Sequence, residues 1–310
     1  MTRLLLALAC SAVFPCLPAA AEPCRGKGVE VQVLGSGGPE VQGRRASSSY
    51  LVWRDGAALV LVDAGGGSAL RFGEAGATMT GLRAILLTHL HADHAADLPA
   101  LVKSSFFERR TAPLPVLGPA AGRFFPSTTA FVKALFDEHA GAFRYLSDYL
   151  PGGDGGYELQ ARDVAVPAGA LAQVLDLDGV KVFAARAVHG VVPALSYRIE
   201  VAGVAVAFSG DFNGEGGGIE KAADHADLWV AHNAVPEGAA GVERRLHAPP
   251  SEIGRIAAAA HVKRLVLSHR MMRTLGKEAA TRAAIEAPYG GAVGFADDLD
   301  CYAIAARTSP

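Results

Sequence analysis

The sequence has few charged residues and no excess of either sign. Only 19% of its 310 residues are Asp, Glu, Lys or Arg, and 31 acidic side chains nearly balance 29 basic ones. Such a balance gives no general attraction for a phosphate backbone, so the composition argues against a nucleic-acid substrate. Half of the residues are apolar, which excludes a disordered chain and predicts a packed globular protein.

No apolar run is long enough to span a bilayer comfortably. Near the start, Arg3 precedes a short apolar segment at 4–14, and small residues at 19–21 offer a cleavage site. This pattern is typical of an export signal. We therefore assign 1–21 to a signal peptide and 22–310 to a single hydrolase domain, and we expect a periplasmic or secreted protein with no stable membrane span. A retained membrane anchor is the alternative.

Cysteine is scarce, with four residues in the whole chain. Cys10 and Cys16 lie in the predicted signal peptide, and neither has a context that favours a lipoprotein. Cys24 and Cys301 lie near opposite ends of the remaining chain. Because exported proteins meet an oxidising compartment and chain termini often lie close together, a Cys24–Cys301 disulfide is one hypothesis, and two unpaired thiols are the other.

The densest group of potential metal ligands is His89, His91, Asp93 and His94. They follow an apolar segment at 84–88 that is predicted to be a strand, and they precede a predicted helix at 98–110. Residues two apart in an extended segment point the same way, so His89 and His91 can bind one ion. The chain then turns, so that Asp93 and His94 can face a second ion. Imidazole and carboxylate are ligands that zinc prefers.

The run Thr-His-Leu-His-Ala-Asp-His at 88–94 resembles the signature of the metallo-β-lactamase superfamily. Other segments, before and after this run, are similar to motifs of its ribonuclease Z-like and arylsulfatase-like branch. These segments are 34–39, 62–65, His189 with 190–198, 208–211, His247 with the Pro and Ser-Glu that follow it, and 265–269. The resemblance covers roughly 29–272 and implies an α/β fold: a four-layer αββα sandwich of two mixed β-sheets with outer helices.

The resemblance also implies a centre of two divalent metal ions, with zinc favoured and manganese or iron as alternatives. The implied ligands are His89, His91 and His189 for the first ion, Asp93, His94 and His269 for the second, and Asp211 as the bridge. Two neighbouring ions lower the pKa of a water that they share, and they stabilise the charge that develops on an anionic substrate.

The candidate catalytic residues are Asp93, His232 and His247. We expect His247 to contact the substrate oxyanion or to protonate the leaving group. The ribonuclease Z branch carries a Glu in the neighbourhood of position 232 that partners the His at the position of His247, whereas this sequence has His232-Asn233. Either the acid–base relay is altered, or His232 is a hydrogen-bond partner behind the ligands, or it is a plain structural histidine. Three other histidines are predicted to be surface or helix residues: His139, His225 and His261.

The substrate is the least determined part of the prediction. The export signal, the near-neutral charge and the lack of a basic Gly-Pro-rich arm favour a small anionic ester, either a phosphodiester or an aryl sulfate. Residues 103–178 are predicted to form a substrate-covering insertion, with most aromatic rings between 124 and 157 packed in the core. The alternatives are a ribonuclease Z-like RNA endonuclease, a mononuclear iron enzyme, and a non-catalytic metal-binding protein. The sequence leaves a homodimer open.

Overall fold

The computed structural model describes Cys24 and residues 26–305, so the predicted signal peptide lies outside the described residues. The described chain folds into two seven-stranded sheets. The strands of the first sheet are β1 (Val29–Gly35), β2 (Ser49–Arg54), β3 (Ala57–Val62), β4 (Ala84–Leu86), β5 (Leu114–Pro119), β6 (Leu159–Val164) and β14 (Cys301–Ile304). Their spatial order is β14-β1-β2-β3-β4-β5-β6.

The second sheet is built from the later part of the chain. Its strands are β7 (Leu171–Leu177), β8 (Val180–His189), β9 (Val192–Val201), β10 (Val204–Phe208), β11 (Leu228–His232), β12 (Arg264–Ser268) and β13 (Ala292–Phe295). Their order is β13-β12-β11-β10-β9-β8-β7. Each sheet has an antiparallel half and a parallel half, with β3 to β6 parallel in the first sheet and β10 to β13 parallel in the second.

Helices cover the outer face of each sheet. They are α1 (Ser68–Glu74), α2 (Ala92–Ala95), α3 (Leu98–Ser105), α4 (Thr128–Phe136), α5 (Gly218–Ala223), α6 (Gly241–Leu246), α7 (Pro250–Ala259) and α8 (Glu278–Glu286), with 3₁₀ helices at Val41–Gly43 and Arg144–Tyr149. Within the described ranges, no helix is both long and apolar enough to cross a membrane.

Strand β2 shows how the sequence produces four layers. Tyr50 and Val52 face the other sheet in the central core, while Leu51 and Trp53 pack in a second core beneath the helices of the first sheet. Both faces of the strand are apolar because both are buried, which explains its continuous apolar run. A third core lies between the second sheet and α5, α7 and α8. The predicted αββα sandwich of two mixed sheets is therefore confirmed.

The segment 103–178 differs from a simple insertion. It contains β5, β6 and β7, which are integral strands of the two sheets, and its longest part outside the sheets lies between β5 and β6. Pro115 and Gly118 interrupt the apolar pattern of β5, which hides its strand character in the sequence. The proposed role of the segment in covering a substrate stays a prediction.

Two elements end earlier than the sequence predicts, and a disulfide joins the two ends of the described chain. Strand β4 ends at Leu86 rather than at position 88, and α3 ends at Ser105 rather than at position 110. A disulfide joins Cys24 to Cys301 with their Cα atoms 5.5 Å apart. It ties the segment that precedes β1 to β14, the neighbour of β1 in the sheet.

Candidate metal centre

Seven histidine and aspartate side chains meet where strands of both sheets end. The loop after β4 and the short helix α2 carry four of them, His189 is the last residue of β8, Asp211 follows β10, and His269 follows β12. Because β4 is parallel to its neighbours and β8, β10 and β12 all run in one direction, their carboxyl ends lie at one edge of the sandwich. Clefts at such strand ends are the common position of sites in open α/β sheets.

Gly210 lets the loop of Asp211 reach the histidine loop. Its φ is +58°, and a Cβ at this position would come within 2.7 Å of Thr88 Cβ. A residue with a side chain would therefore be strained and would push apart the two loops that carry the candidate ligands. The Gly-Asp pair in the sequence thus reflects a close approach of backbone rather than a simple turn.

The first group of donor atoms comes from three histidines and one carboxylate oxygen. His89 Nε2 lies 3.0 Å from His91 Nδ1. Asp211 Oδ2 lies 3.5 Å from His189 Nε2 and 3.9 Å from His89 Nε2. These spacings fit atoms that share one tetrahedral cation, since each nitrogen ligand lies about 2.0–2.1 Å from a zinc ion.

The second group lies beside the first and uses the other oxygen of the same carboxylate. Asp211 Oδ1 lies 3.4 Å from His269 Nε2 and 3.8 Å from His94 Nε2. Asp93 Oδ2 lies 3.2 Å from His269 Nε2 and 3.5 Å from His94 Nε2. Asp211 therefore directs one oxygen to each group, which is the arrangement of a carboxylate that bridges two ions.

The opposite nitrogens of two histidines are already engaged. His94 Nδ1 donates to Asp63 Oδ2 at 2.8 Å, and His189 Nδ1 donates to the carbonyl of Leu246 at 3.0 Å. Both hydrogen bonds turn Nε2 toward the centre, where in the described residues it is buried and has no hydrogen-bond partner. Histidines that bind metals usually donate their other ring hydrogen in this way, so these residues fit divalent cations.

The pKa values of the candidate ligands also differ between the two groups of donors. Burial lowers the pKa of His89 and of His91, which keeps both rings in the neutral form that binds metals. Burial alone would raise the pKa of Asp93, but the hydrogen bond from His269 together with the nearby charges of His94 and His269 outweighs burial and lowers that pKa to about 2. Burial would lower the pKa of His94, but the nearby carboxylates, Asp63 first, raise it to about 9. The buried carboxylates thus require positive charge at this place.

His232, one of the candidate catalytic residues, lies behind Asp211. Its Nδ1 is 2.8 Å from Asp211 Oδ1, and its Nε2 is 2.9 Å from the hydroxyl of Tyr50. A donor atom of His232 falls within 4.8 Å of those of His94, Asp211 and His269, so distance alone would admit it as a ligand. Because both of its nitrogens are engaged, whereas His94 Nε2 has no partner, we interpret His232 as a hydrogen-bond partner.

His247 borders the centre at the carboxyl end of α6. Its ring lies 5.2 Å from that of His189, and its Nδ1 is 3.9 Å from Asp211 Oδ2. That nitrogen is buried without a hydrogen-bond partner in the described part of the chain, and burial lowers the pKa of His247 to about 4. Asn233 does not replace the expected Glu, since its amide donates to Val235 O within its own turn.

Sequence reasoning missed the roles of Asp63 and Tyr50. Asp63 lies in the Val-Asp-Ala-Gly segment that supports the resemblance, which was a signal for its importance. Nothing in the apolar strand β2 distinguishes Tyr50. The Phe125 ring lies 5.7 Å from that of His91, which places one ring of the predicted insertion beside the centre.

A second cluster of donor atoms lies on the surface. Asp224, His225 and His261 are exposed, with donor atoms within 4.8 Å of one another, and the two imidazole rings stack at 4.9 Å. His139 is also exposed. The three histidines without a motif are thus surface residues, as predicted, but the structure brings two of them together.

Comparison with known proteins gives the site a family context. A family model described as the β-lactamase superfamily domain matches residues 59–270. Ribonuclease Z of Mycolicibacterium paratuberculosis is 32% identical, covering 87% of this chain and 96% of that protein. Ribonuclease Z of Mycobacterium marinum is 30% identical, covering 90% of this chain and all of that protein.

Solved structures agree on the fold. The short form of human tRNase Z superposes with a TM-score of 0.68 at 20% identity, covering 89% of this chain and 99% of that one. The metallo-β-lactamase fold protein YhfI of Bacillus subtilis superposes with a TM-score of 0.65 at 20% identity, covering 89% of this chain and all of that one.

The prediction against a nucleic-acid substrate is wrong. It is overturned by relatives that are named ribonuclease Z and match nearly the whole chain. The prediction used the net charge of the whole molecule, which averages over the surface and hides local charge. Arg123 lies over the ring of Phe124, and Arg244 lies on the helix that precedes His247, whereas Arg273 pairs with Glu243.

Proposed function

Since the chain belongs to the β-lactamase superfamily, in the branch that includes ribonuclease Z, we propose that it is an RNA-cleaving phosphodiesterase with two divalent metal ions. The observation that carries the proposal is the division of the Asp211 oxygens between two groups of buried donors. The chemistry that two such cations supply is Lewis-acid activation of water and neutralisation of the phosphate charge. Zinc suits the imidazole-rich ligand set.

The ligand roles follow from the two groups. His89, His91 and His189 would hold the first ion, and Asp93, His94 and His269 would hold the second, with Asp211 shared. Burial keeps competing water away from these donors. The hydrogen bonds to Asp63 and to the carbonyl of Leu246 fix the orientations of the His94 and His189 rings. No side chain of the set is needed as a nucleophile.

His247 is the proposed contact to the scissile phosphate. It stands at the rim of the centre with a buried nitrogen that lacks a partner in the described residues. Hydrogen bonding to a phosphate oxygen or to the leaving oxygen would satisfy that nitrogen. The neighbouring segments with Arg123 and Arg244 would supply positive charge for the adjoining phosphates of an RNA strand, whereas Arg273 is already paired with Glu243.

Export is the second part of the proposal. The pattern at 1–21 supports a cleaved signal peptide, and the disulfide between Cys24 and Cys301 suits an oxidising compartment. Fractionation of the source cells, with mass analysis of the amino terminus, tests this part. A chain that begins after residue 21 in the periplasm or medium is expected, and an uncleaved chain in the cytosol would contradict export.

Substrate choice is tested with the zinc-loaded protein. The panel is a structured RNA that includes a tRNA precursor, DNA of the same sequence, bis(p-nitrophenyl) phosphate and p-nitrophenyl sulfate. RNA cleavage that stops with a chelator and returns with zinc is expected, and Asp211→Asn is the inactive control. Turnover of the sulfate alone, or of small esters but not RNA, would overturn the RNA proposal.

Metal analysis separates the remaining candidates. Two metal ions per chain are expected for the proposed enzyme. One iron per chain with no second metal would favour a mononuclear iron enzyme. Two ions without turnover of any member of the panel would favour a metal-binding protein that is not a catalyst.

A further inference from the structure

A small polar network crosses the central core behind the metal centre. The Tyr50 hydroxyl, from the first sheet, lies 2.9 Å from His232 Nε2 and 2.9 Å from Ser268 Oγ, both in the second sheet. All three residues are buried, and the Tyr50 ring packs 5.6 Å from that of Phe208. Burying polar groups in such a core costs free energy unless they are hydrogen-bonded, so this network of paired groups indicates a specific role.

The far end of the network is the candidate bridging carboxylate. His232 Nδ1 lies 2.8 Å from Asp211 Oδ1. A carboxylate can only accept, so Nδ1 carries the hydrogen of the neutral ring. His232 Nε2 is then an acceptor, so the single hydrogen of the Tyr50 hydroxyl has two acceptors within 2.9 Å, His232 Nε2 and Ser268 Oγ. The hydroxyl therefore anchors the far side of the ring in the orientation in which Nδ1 donates to Asp211.

The backbone of His232 is fixed independently. Its N–H donates to Ser209 Oγ at 3.0 Å, and Ser209 precedes Gly210 and Asp211 on the same loop. His232 is thus held by its backbone to the loop of Asp211 and by its ring to both Asp211 and Tyr50. Rotation or a change of ring form would break the contact to the carboxylate.

We propose that Tyr50 is a positioning residue for the bridging carboxylate of Asp211, acting through His232. In this role the hydroxyl fixes the orientation of the His232 ring, and the Nδ1 hydrogen of that ring holds Asp211 with one oxygen toward each group of metal donors. The inference rests on the proposed two-ion centre. It assigns a function to a residue of the first sheet that touches neither a metal donor nor the substrate region.

The test removes the hydroxyl and keeps the ring. Tyr50→Phe is compared with Tyr289→Phe, which also removes a buried hydroxyl, one that donates to Val262 O at 3.0 Å away from the centre. Zinc affinity is measured by competition with a chelator, and stability by denaturant unfolding. We expect Tyr50→Phe to weaken zinc binding by up to about 10-fold, at the lower end of the 10–100-fold range for loss of a direct hydrogen bond to a ligand, because Tyr50 acts through His232. Tyr289→Phe should leave zinc affinity unchanged, and equal affinities in the two variants would overturn the proposal.

A double-mutant cycle tests the route through His232. If Tyr50 acts through that ring, Tyr50→Phe should have little further effect on zinc affinity in a His232→Ala background. An undiminished effect there would show that the route is wrong. His232→Asn, which can place an amide donor near the position of Nδ1, should retain more zinc affinity than His232→Ala.

Two readouts keep this inference separate from the proposed function. Nitrogen NMR of the zinc-loaded protein should show a hydrogen bond from His232 Nδ1 to a carboxylate in the wild type and a weaker hydrogen bond in Tyr50→Phe. The zinc stoichiometry of the wild type tests the centre itself. Fewer than two zinc ions per chain in the wild type would contradict the proposed two-ion centre. Two ions per chain, with a zinc affinity of Tyr50→Phe equal to that of the wild type, would contradict only the role of Tyr50.

Discussion

The buried centre and the surface cluster of Asp224, His225 and His261 contain the same kinds of donor atoms at similar spacing. They differ in what surrounds the donors. In the centre, His94 and His189 are buried, and each has its other nitrogen fixed by a hydrogen bond. On the surface, the side chains of Asp224 and His225 are 60% and 64% exposed and lie 3.8 Å apart.

The difference is one of preorganisation. Exposed side chains lose rotamer freedom when they converge on an ion, and they also compete with water for it. The buried donors have already lost that freedom on folding, and a buried carboxylate such as Asp211 is costly without positive charge nearby. We therefore expect two ions per chain, both in the buried centre, and none held tightly at the surface cluster.

Asp211→Ala should have the largest effect, because both groups of donors share this carboxylate. Bound metal and phosphodiesterase activity should fall together, with a loss of activity of roughly 10²–10³-fold or more. Elemental analysis and hydrolysis of bis(p-nitrophenyl) phosphate measure the two effects. Asp224→Ala removes an aspartate from the surface cluster and is the matched control. Retention of both ions in Asp211→Ala would contradict the bridging role, and His91→Ala should lose metal and activity in the same manner.

His247→Ala should separate rate from metal binding. A donor atom of His247 lies within 4.8 Å of those of His189 and Asp211, but the two proposed sets of ligands are complete without it. Both ions should therefore remain while the rate falls by about 10²–10⁴-fold, as for loss of a general acid or base. Metal content and kcat are measured on the same sample. If the variant lost both ions, His247 would be a ligand, and its assignment as a substrate contact would be wrong.

Asp63→Asn should have an intermediate effect on metal binding alone. Asp63 holds His94 Nδ1 and is itself held by the backbone N–H and hydroxyl of Thr88. An amide can accept from His94 but lacks the charge, so we expect zinc affinity to fall about 10–100-fold. Chelator competition measures the fall. Asp227→Asn, at a carboxylate that pairs with Lys263 away from the centre, should leave zinc affinity unaltered, and equal values would contradict the orienting role.

The sequence predicts the centre better than its surroundings. His89, His91, Asp93 and His94 are adjacent in the chain, and the remaining ligands follow strands in a recognisable order. Tyr50 could not be predicted, because its contact with His232 depends on how two sheets pack. The pairing of His225 with His261 likewise depends on two turns, each with the histidine at positive φ, that bring distant segments together. Strand β5 was not predicted because Pro115 and Gly118 interrupt its apolar pattern. The prediction against a nucleic-acid substrate was wrong because it used the net charge of the whole chain.

The smallest effect is expected for the surface cluster, and it tests the comparison most directly. His225→Ala and His261→Ala together remove both imidazoles without touching the buried donors. Metal content should stay at two ions per chain, and zinc affinity and phosphodiesterase rate should match the wild type. A loss of one ion per chain in this double variant would show that exposed donors suffice here. Burial and outer hydrogen bonds would then not be what decides where this chain holds its metals.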